Sequence, residues 1–159
     1  MYNYNSFDSA AFGVIIIMLL VAVAISITIA VLYLLTLQNV LKEIAPQNRL
    51  VEPSNVWLMF IPLFNLIYPF ILYPKISESL RNEYNFRGIG KAGDYGRGIG
   101  ITMPILSLCG WIPILGGFAG LANLILFIIF WVKMSEFKNE LKKSPKTNNG
   151  VSNSNDLLD

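Results

Sequence analysis

Between Asp8 and Lys42 the chain carries no charged residue, an uninterrupted run of 33 positions covering residues 9–41. A soluble protein hides such a run only inside a large core, and a chain of 159 residues has too little interior for it. The bilayer is the better solvent for this segment. Composition agrees. Hydrophobic residues make up 54% of the chain and charged residues only 14%, against about 25% charged in ordinary soluble domains.

Several functional classes are disfavoured at once. The net charge of +2 is too small to suggest nucleic-acid binding, and none is expected. The chain has no histidine, which removes the commonest general base and the commonest zinc ligand together. Its one cysteine, Cys109, lies in an apolar segment and has no intramolecular disulfide partner. No cofactor is expected. Ala22-Val23-Ala24 has the form of a signal-peptide cleavage site, but the leader before it has no Lys or Arg and the apolar run continues to Leu37. A retained first span is therefore expected.

Four apolar segments are long enough to be read as membrane helices: about Phe12 to Leu37, Val56 to Tyr73, Gly98 to Leu115 and Gly117 to Val132. The first, at ~1.5 Å per residue, reaches about 39 Å, more than a ~30 Å hydrocarbon core. Backbone groups in lipid must be satisfied within the segment, which forces helices. Pro62, Pro69, Pro104 and Pro113 should kink these helices or sit in their first turns. Gly116-Gly117 is the expected turn between the last two. The expected fold class is thus an all-α membrane protein of four transmembrane helices, arranged as two tandem hairpins with short cytoplasmic amphipathic extensions. The four-helix domain covers residues 1–143, and 144–159 form a disordered cytoplasmic tail.

With four spans, the N-terminal segment, residues 74–97 and the C-terminal segment share one side, which holds ten of the twelve Lys and Arg residues. Lys42 and Arg49 lie opposite. The positive-inside rule then places both termini in the cytoplasm of a cell with an inner (plasma) membrane. Residue 45 falls outside, and residues 90 and 150 inside. A rival topology makes the second segment re-entrant and the N-terminus translocated, with all twelve basic residues cytoplasmic.

An internal repeat favours the four-span version. At an offset of 58 residues, Asn65–Glu83 and Asn123–Leu141 match at Asn65/Asn123, Leu66/Leu124, Ile67/Ile125, Ile71/Ile129, Lys75/Lys133, Ser77/Ser135 and Glu78/Glu136. Upstream, Trp57 with Ile61-Pro62 parallels Trp111-Ile112-Pro113. The repeat units are about 12–86 and 98–143. Two helices per unit give a parallel repeat about an axis along the membrane normal.

Asn65 and Asn123 are the most polar side chains within the spans. They read as an interhelical clasp, or alternatively as a polar substrate or ion site. No charged residue lies in any span, which counts against ion-coupled transport. Gly116-x-x-x-Gly120 permits close helix packing. Gly88-Ile-Gly90-Lys-Ala-Gly93 has the form of a dinucleotide fingerprint, but it follows a polar helix rather than a strand and is read as a loop. The two extensions carry apolar stripes, Ile76/Leu80/Tyr84 and Met134/Phe137/Leu141, free to pack on each other, on the membrane or on a partner. Lys75, Ser77 and Glu78, with Lys133, Ser135 and Glu136, are the candidate interfacial or partner-binding residues. Glu83 and Arg87 read as a surface pair.

The stretch Pro53-x-x-x-Trp57-x-x-x-x-Pro62-x-x-Asn65-x-x-x-Pro69, with Phe127-Ile-Ile-Phe-Trp-Val-Lys133, resembles a class of small, uncharacterised bacterial multipass membrane proteins, a domain of unknown function. The resemblance implies an inner-membrane location and a four-helix fold, and brings no activity, ligand or catalytic residue. The function expected from sequence is non-enzymatic: an assembly or interaction subunit with the lipid bilayer, a protein partner or further copies of itself as partners. The alternative is a small channel, transporter or lipid-binding protein using the polar residues at the repeat interface.

Overall fold

The computed structural model of the chain describes residues 4–110, 112 and 116–145, with side chains from residue 11 onward. Trp111 and Pro113 of the repeat, and the expected tail from Lys146, lie outside the described residues. Every regular element described is helical: α1 (Tyr4–Glu43), a 3-10 turn (Pro46–Asn48), a 3-10 segment (Pro53–Phe60), α2 (Pro62–Ile67), α3 (Pro69–Phe86), α4 (Arg97–Cys109) and α5 (Gly116–Lys143). The chain divides into two compact units, residues 1–35 and 36–159.

The first unit is the N-terminal part of α1. Residues 11–29 are all exposed, with Ile17 at 63% and Met18 at 67%. A helix that is apolar on every face has no aqueous side to turn outward. Two of its hydroxyls bond back along the helix, Ser26 donating to the Ala22 carbonyl at 2.9 Å and Thr28 to that of Ala24 at 2.8 Å.

Two helices, α1 from Ala11 and α5, are long and apolar enough to cross a membrane. The four-span expectation is met only to that extent. α4 has 13 residues, about 20 Å of helix. The second apolar segment is not one helix. Ile61 is extended, and Pro62 and Pro69 each open a new helix at its first position, where a missing N–H costs nothing. Pro74 and Pro104 lie inside α3 and α4.

In the second unit α4 packs against both α3 and α5. The expected amphipathic stripes pack on each other. Ile76, Leu80, Tyr84, Met134 and Leu141 are wholly buried, together with Leu72, Phe130 and, from the end of α1, Leu37, Val40, Leu41 and Ile44. Tyr84 meets Phe137 edge-on at 5.8 Å and Tyr95 at 5.2 Å. Burying each large apolar side chain in this way contributes roughly 1.5–3 kcal/mol. Glycine permits the close approach of α4. A Cβ on Gly100 would lie 2.7 Å from that of Tyr73, and Gly96, at φ +85°, faces Met134 and Phe130.

The polar centre of this unit is the pair Glu83–Arg87. Read from sequence as a surface pair, it is instead buried, with side chains 0% and 1% exposed and 2.7 Å apart. Arg87 donates to the carbonyls of Glu43 (2.8 Å), Leu141 (2.6 Å) and Ser144 (3.1 Å). Glu83 accepts from the Ala45 N–H at 2.9 Å and from the Asn48 amide at 2.7 Å. Close by, the Leu50 N–H donates to Ser79 Oγ at 2.8 Å.

This node corrects the expected topology. The loop after α1, the second half of α3 and the end of α5 meet within hydrogen-bond distance. Residue 45 therefore lies on the same side of any membrane as residues 79–87 and 141–144, not opposite them. Leu50 and Ser79, which bracket the segment 51–78, are held together by the hydrogen bond between them. The 3-10 limb, at ~2.0 Å per residue, and the ten residue steps of α3 from Pro69 to Ser79 both span about 15 Å.

Two outcomes follow. In a Cys109→Ser background, cysteines placed at the exposed positions Gln47 and Lys91 should react with an impermeant maleimide from the same face of sealed vesicles; labelling from opposite faces would overturn the re-entrant path. The second concerns acid. Burial pushes the Glu83 carboxyl up, but hydrogen bonds from Asn48, the Ala45 N–H and Arg87 outweigh it and hold it below the ordinary 4.5. A folded value below the unfolded one contributes stability that is fully present above the ordinary carboxylate range and is lost as pH falls through the lowered value. Thermal stability in detergent should be level above about pH 5 and fall below it. Glu83→Gln, by stranding a buried guanidinium, should cost about 3–5 kcal/mol at neutral pH and shrink the acid step.

Candidate functional site

An open cleft of about 570 Å³ lies where α2, the start of α3, α4 and α5 converge. Pro62, Asn65 and Pro69 form one wall, Met103, Pro104 and Ser107 the second, and Gly120, Asn123 and Phe127 the third. A recess continues from Ser107, Gly120 and Asn123 toward Gly110 and Gly116. The proline-opened helices α2 and α3 place Asn65 here. The i, i+4 and i, i+3 spacing of Asn123 with Phe127 and Gly120 puts all three on one face of α5.

The surroundings are apolar and exposed: Leu63 is 83% exposed, Ile67 64%, Phe118 81% and Leu121 65%. From Lys133 to Asn123 is ten residues along α5, about 15 Å. Lys133 marks the polar end, 3.8 Å from Asp94. Asp94 caps α4 by accepting from the N–H groups of Gly96 (3.0 Å) and Gly98 (2.8 Å), and these bonds hold its carboxyl below the usual range. Tyr95, φ +52°, is buried against Tyr84 and Phe137. The glycine-rich stretch expected to be a flexible loop is therefore an ordered cap.

Asn65 and Asn123 both line this cleft; they do not bond each other, but Asn123 joins α5 to α4. Asn123 donates through Nδ2 to Ser107 Oγ at 2.9 Å, and Ser107 donates to the Met103 carbonyl at 3.1 Å. Asn123 Oδ1 is buried with no hydrogen-bond partner. The Asn65 side chain is exposed in the cleft and makes no hydrogen bond among the described residues, although its N–H donates to the Ile61 carbonyl at 2.9 Å. Ser107 was missed from sequence because a serine in an apolar helix ordinarily bonds its own backbone. It does so here as well as accepting from Asn123.

Of the small-residue pair, Gly116 makes a close approach: a Cβ there would meet the Gly110 carbonyl oxygen at 2.6 Å. Gly120 does not, since the space beside it is open. Among the candidate partner-binding residues, Lys75, Glu78 and Glu136 are exposed, and Lys133 and Ser135 are half-buried. Ser77 is 2% exposed and donates to the Tyr73 carbonyl at 3.1 Å, so it offers nothing to a partner. Ser79, not singled out from sequence, is the serine that ties two segments together.

The cleft's described lining holds no carboxylate, amine or guanidinium. No cluster of His, Cys, Asp and Glu suited to a metal ion lies among the described residues. What the walls offer is the Asn123 amide paired with Ser107, the hydroxyls of Ser107 and Tyr73, and the Asn65 amide, which has no hydrogen bond among the described residues, in an apolar frame.

Asn123 contributes little to folding by its contacts. An interhelical bond in an apolar medium averages about 0.6 kcal/mol, and a buried unsatisfied oxygen costs about 1–3 kcal/mol. Asn123→Leu should leave the midpoint of denaturation in detergent unchanged or raised. A loss above about 2 kcal/mol would show that the amide is structural after all. No protein-family model, curated protein or solved structure matches the chain.

Proposed function

We propose that the chain is a non-enzymatic, multi-pass inner-membrane protein that holds one amphiphilic molecule in the cleft between α2, α4 and α5. The observation that carries this is the unpaired Asn65 amide in the wall of a cleft framed by exposed apolar side chains. An amide in hydrocarbon without a partner costs several kcal/mol. In a bilayer, the molecule that meets such a cleft and brings both hydrogen-bonding groups and apolar surface is a lipid. The volume lies within the roughly 300–1,000 Å³ of small-molecule sites.

The topology that fits this reading has α1 crossing the membrane, residues 51–78 re-entrant, and α4–α5 forming a hairpin that enters from the same face. All twelve Lys and Arg residues then lie on the cytoplasmic side, a stronger bias than ten against two. The N-terminus of α1 falls outside, in place of the two cytoplasmic termini expected from four spans. Tandem duplication remains part of the proposal. It is supported by the burial of Leu72 and Ile76 at positions matching Phe130 and Met134, all 0% exposed.

The reading as an assembly subunit has less to stand on. The stripes that were to meet a partner are spent inside the unit, and what remains outside is the charged row Lys75, Glu78 and Glu136.

Gly120→Leu tests the cleft. The space beside Gly120 is open, so the leucine side chain projects into the cleft, and replacing a helical glycine contributes about 1 kcal/mol to helix stability. Native mass spectrometry of the full chain should show one retained lipid on the wild type and none on Gly120→Leu, with the variant at least as heat-stable. Equal lipid retention in a stable variant would overturn the proposal.

A further inference from the structure

We infer that the polar end of the bound molecule is an uncharged alcohol, so that the occupant is a neutral lipid alcohol of the diacylglycerol kind. This rests on the reading of the cleft as a lipid site and narrows it to a headgroup class. Three observations carry it. First, the described lining offers no cation to a phosphate and no carboxylate to an amine. Second, Asn123 lies ten residues, about 15 Å of helix rise, along α5 from Lys133, and the other polar groups share its cleft. A charged headgroup drawn to that depth loses its water with no counter-charge to replace it. A hydroxyl loses far less. Third, the unpaired Asn65 amide presents both N–H donors and a carbonyl acceptor. A single hydroxyl both accepts and donates, and so matches that amide. An ester carbonyl alone only accepts.

The apolar part of the ligand has a place as well. Pro62, Pro69, Met103 and Phe127 line the remainder of the cleft, and its lining side chains Leu66, Leu108 and Leu124 are themselves exposed. Acyl chains leaving the cleft pass directly into the bilayer, so the site need enclose only the glycerol end.

The test uses the full chain in phosphatidylcholine nanodiscs, with a diacylglycerol carrying a diazirine on one acyl chain as the probe. Irradiation should label peptides from α2, α4 and α5. Unlabelled diacylglycerol should compete at about fivefold lower concentration than triacylglycerol, which lacks the hydroxyl, and than phosphatidic acid, which replaces it with a charge. Asn65→Leu should cut labelling about fivefold and erase the preference over triacylglycerol, whereas Asn65→Gln, which keeps the amide, should retain it. Stronger competition by phosphatidic acid, or full labelling and preference in a well-folded Asn65→Leu, overturns the alcohol assignment while leaving the cleft a lipid site. Failure of every lipid probe to label the wild-type cleft overturns both.

Discussion

Arg87 holds together chain segments that its own helix does not contain. Its guanidinium reaches carbonyls at the end of α1, at the end of α5 and just beyond it, while Glu83 takes up the Ala45 N–H and the Asn48 amide of the loop after α1. Helix C-termini leave carbonyls without partners, and Arg87 supplies donors to several of them at once. A buried ion pair is weak evidence for stability in itself, because desolvation offsets most of the Coulomb attraction. Its effect here is on specificity. An arrangement of α1, α3 and α5 that separated these groups would strand buried charges and carbonyls, so the pair disfavours it.

The path of the second apolar segment follows from that selection. With Leu50 tied to Ser79 and Ala45 to Glu83, the chain between them must turn back on itself. Prolines 62 and 69 make the reversal cheap. Each begins a new helix at a position where its missing N–H is not needed. The reversal in turn leaves α2 short and set against α4 and α5 without filling the space between them. The cleft is thus the consequence of a polar constraint at one end of the unit and a proline-broken segment at the other.

What was legible in the sequence was governed by local rules. The uncharged run predicts the long apolar α1, and Pro62 and Pro69, expected to kink a helix or sit in its first turn, are found in first turns. The stripes on α3 and α5 were readable as amphipathic, though not their mutual burial. The topology was not legible, because it turns on Glu83 and Arg87, whose i, i+4 spacing is the commonest pattern of a solvent-facing pair. Their burial depends on carbonyls 44 and 54 residues away in sequence, which no local pattern encodes. The site was half legible. Asn65 and Asn123 stood out as amides among apolar residues, but Ser107, the actual partner of Asn123, looked like an ordinary helix serine.

The two amides also differ in what holds them in place. A residue kept for packing should have its polar atoms paired, since each unpaired one works against the fold. Asn123 satisfies half of that requirement and Asn65 none of it. Leucine, which abounds in this chain, would fill either position at lower cost. Their presence is therefore better accounted for by a molecule that supplies the missing hydrogen bonds than by the fold itself. On the proposed reading, the stability forgone at Asn65 is recovered only when the cleft is occupied, through the mass-action stabilisation that any ligand gives the state it binds. The node built on Arg87 makes this tolerable. It holds the three helices in register from the polar end, so that the apolar end can stay open without collapsing.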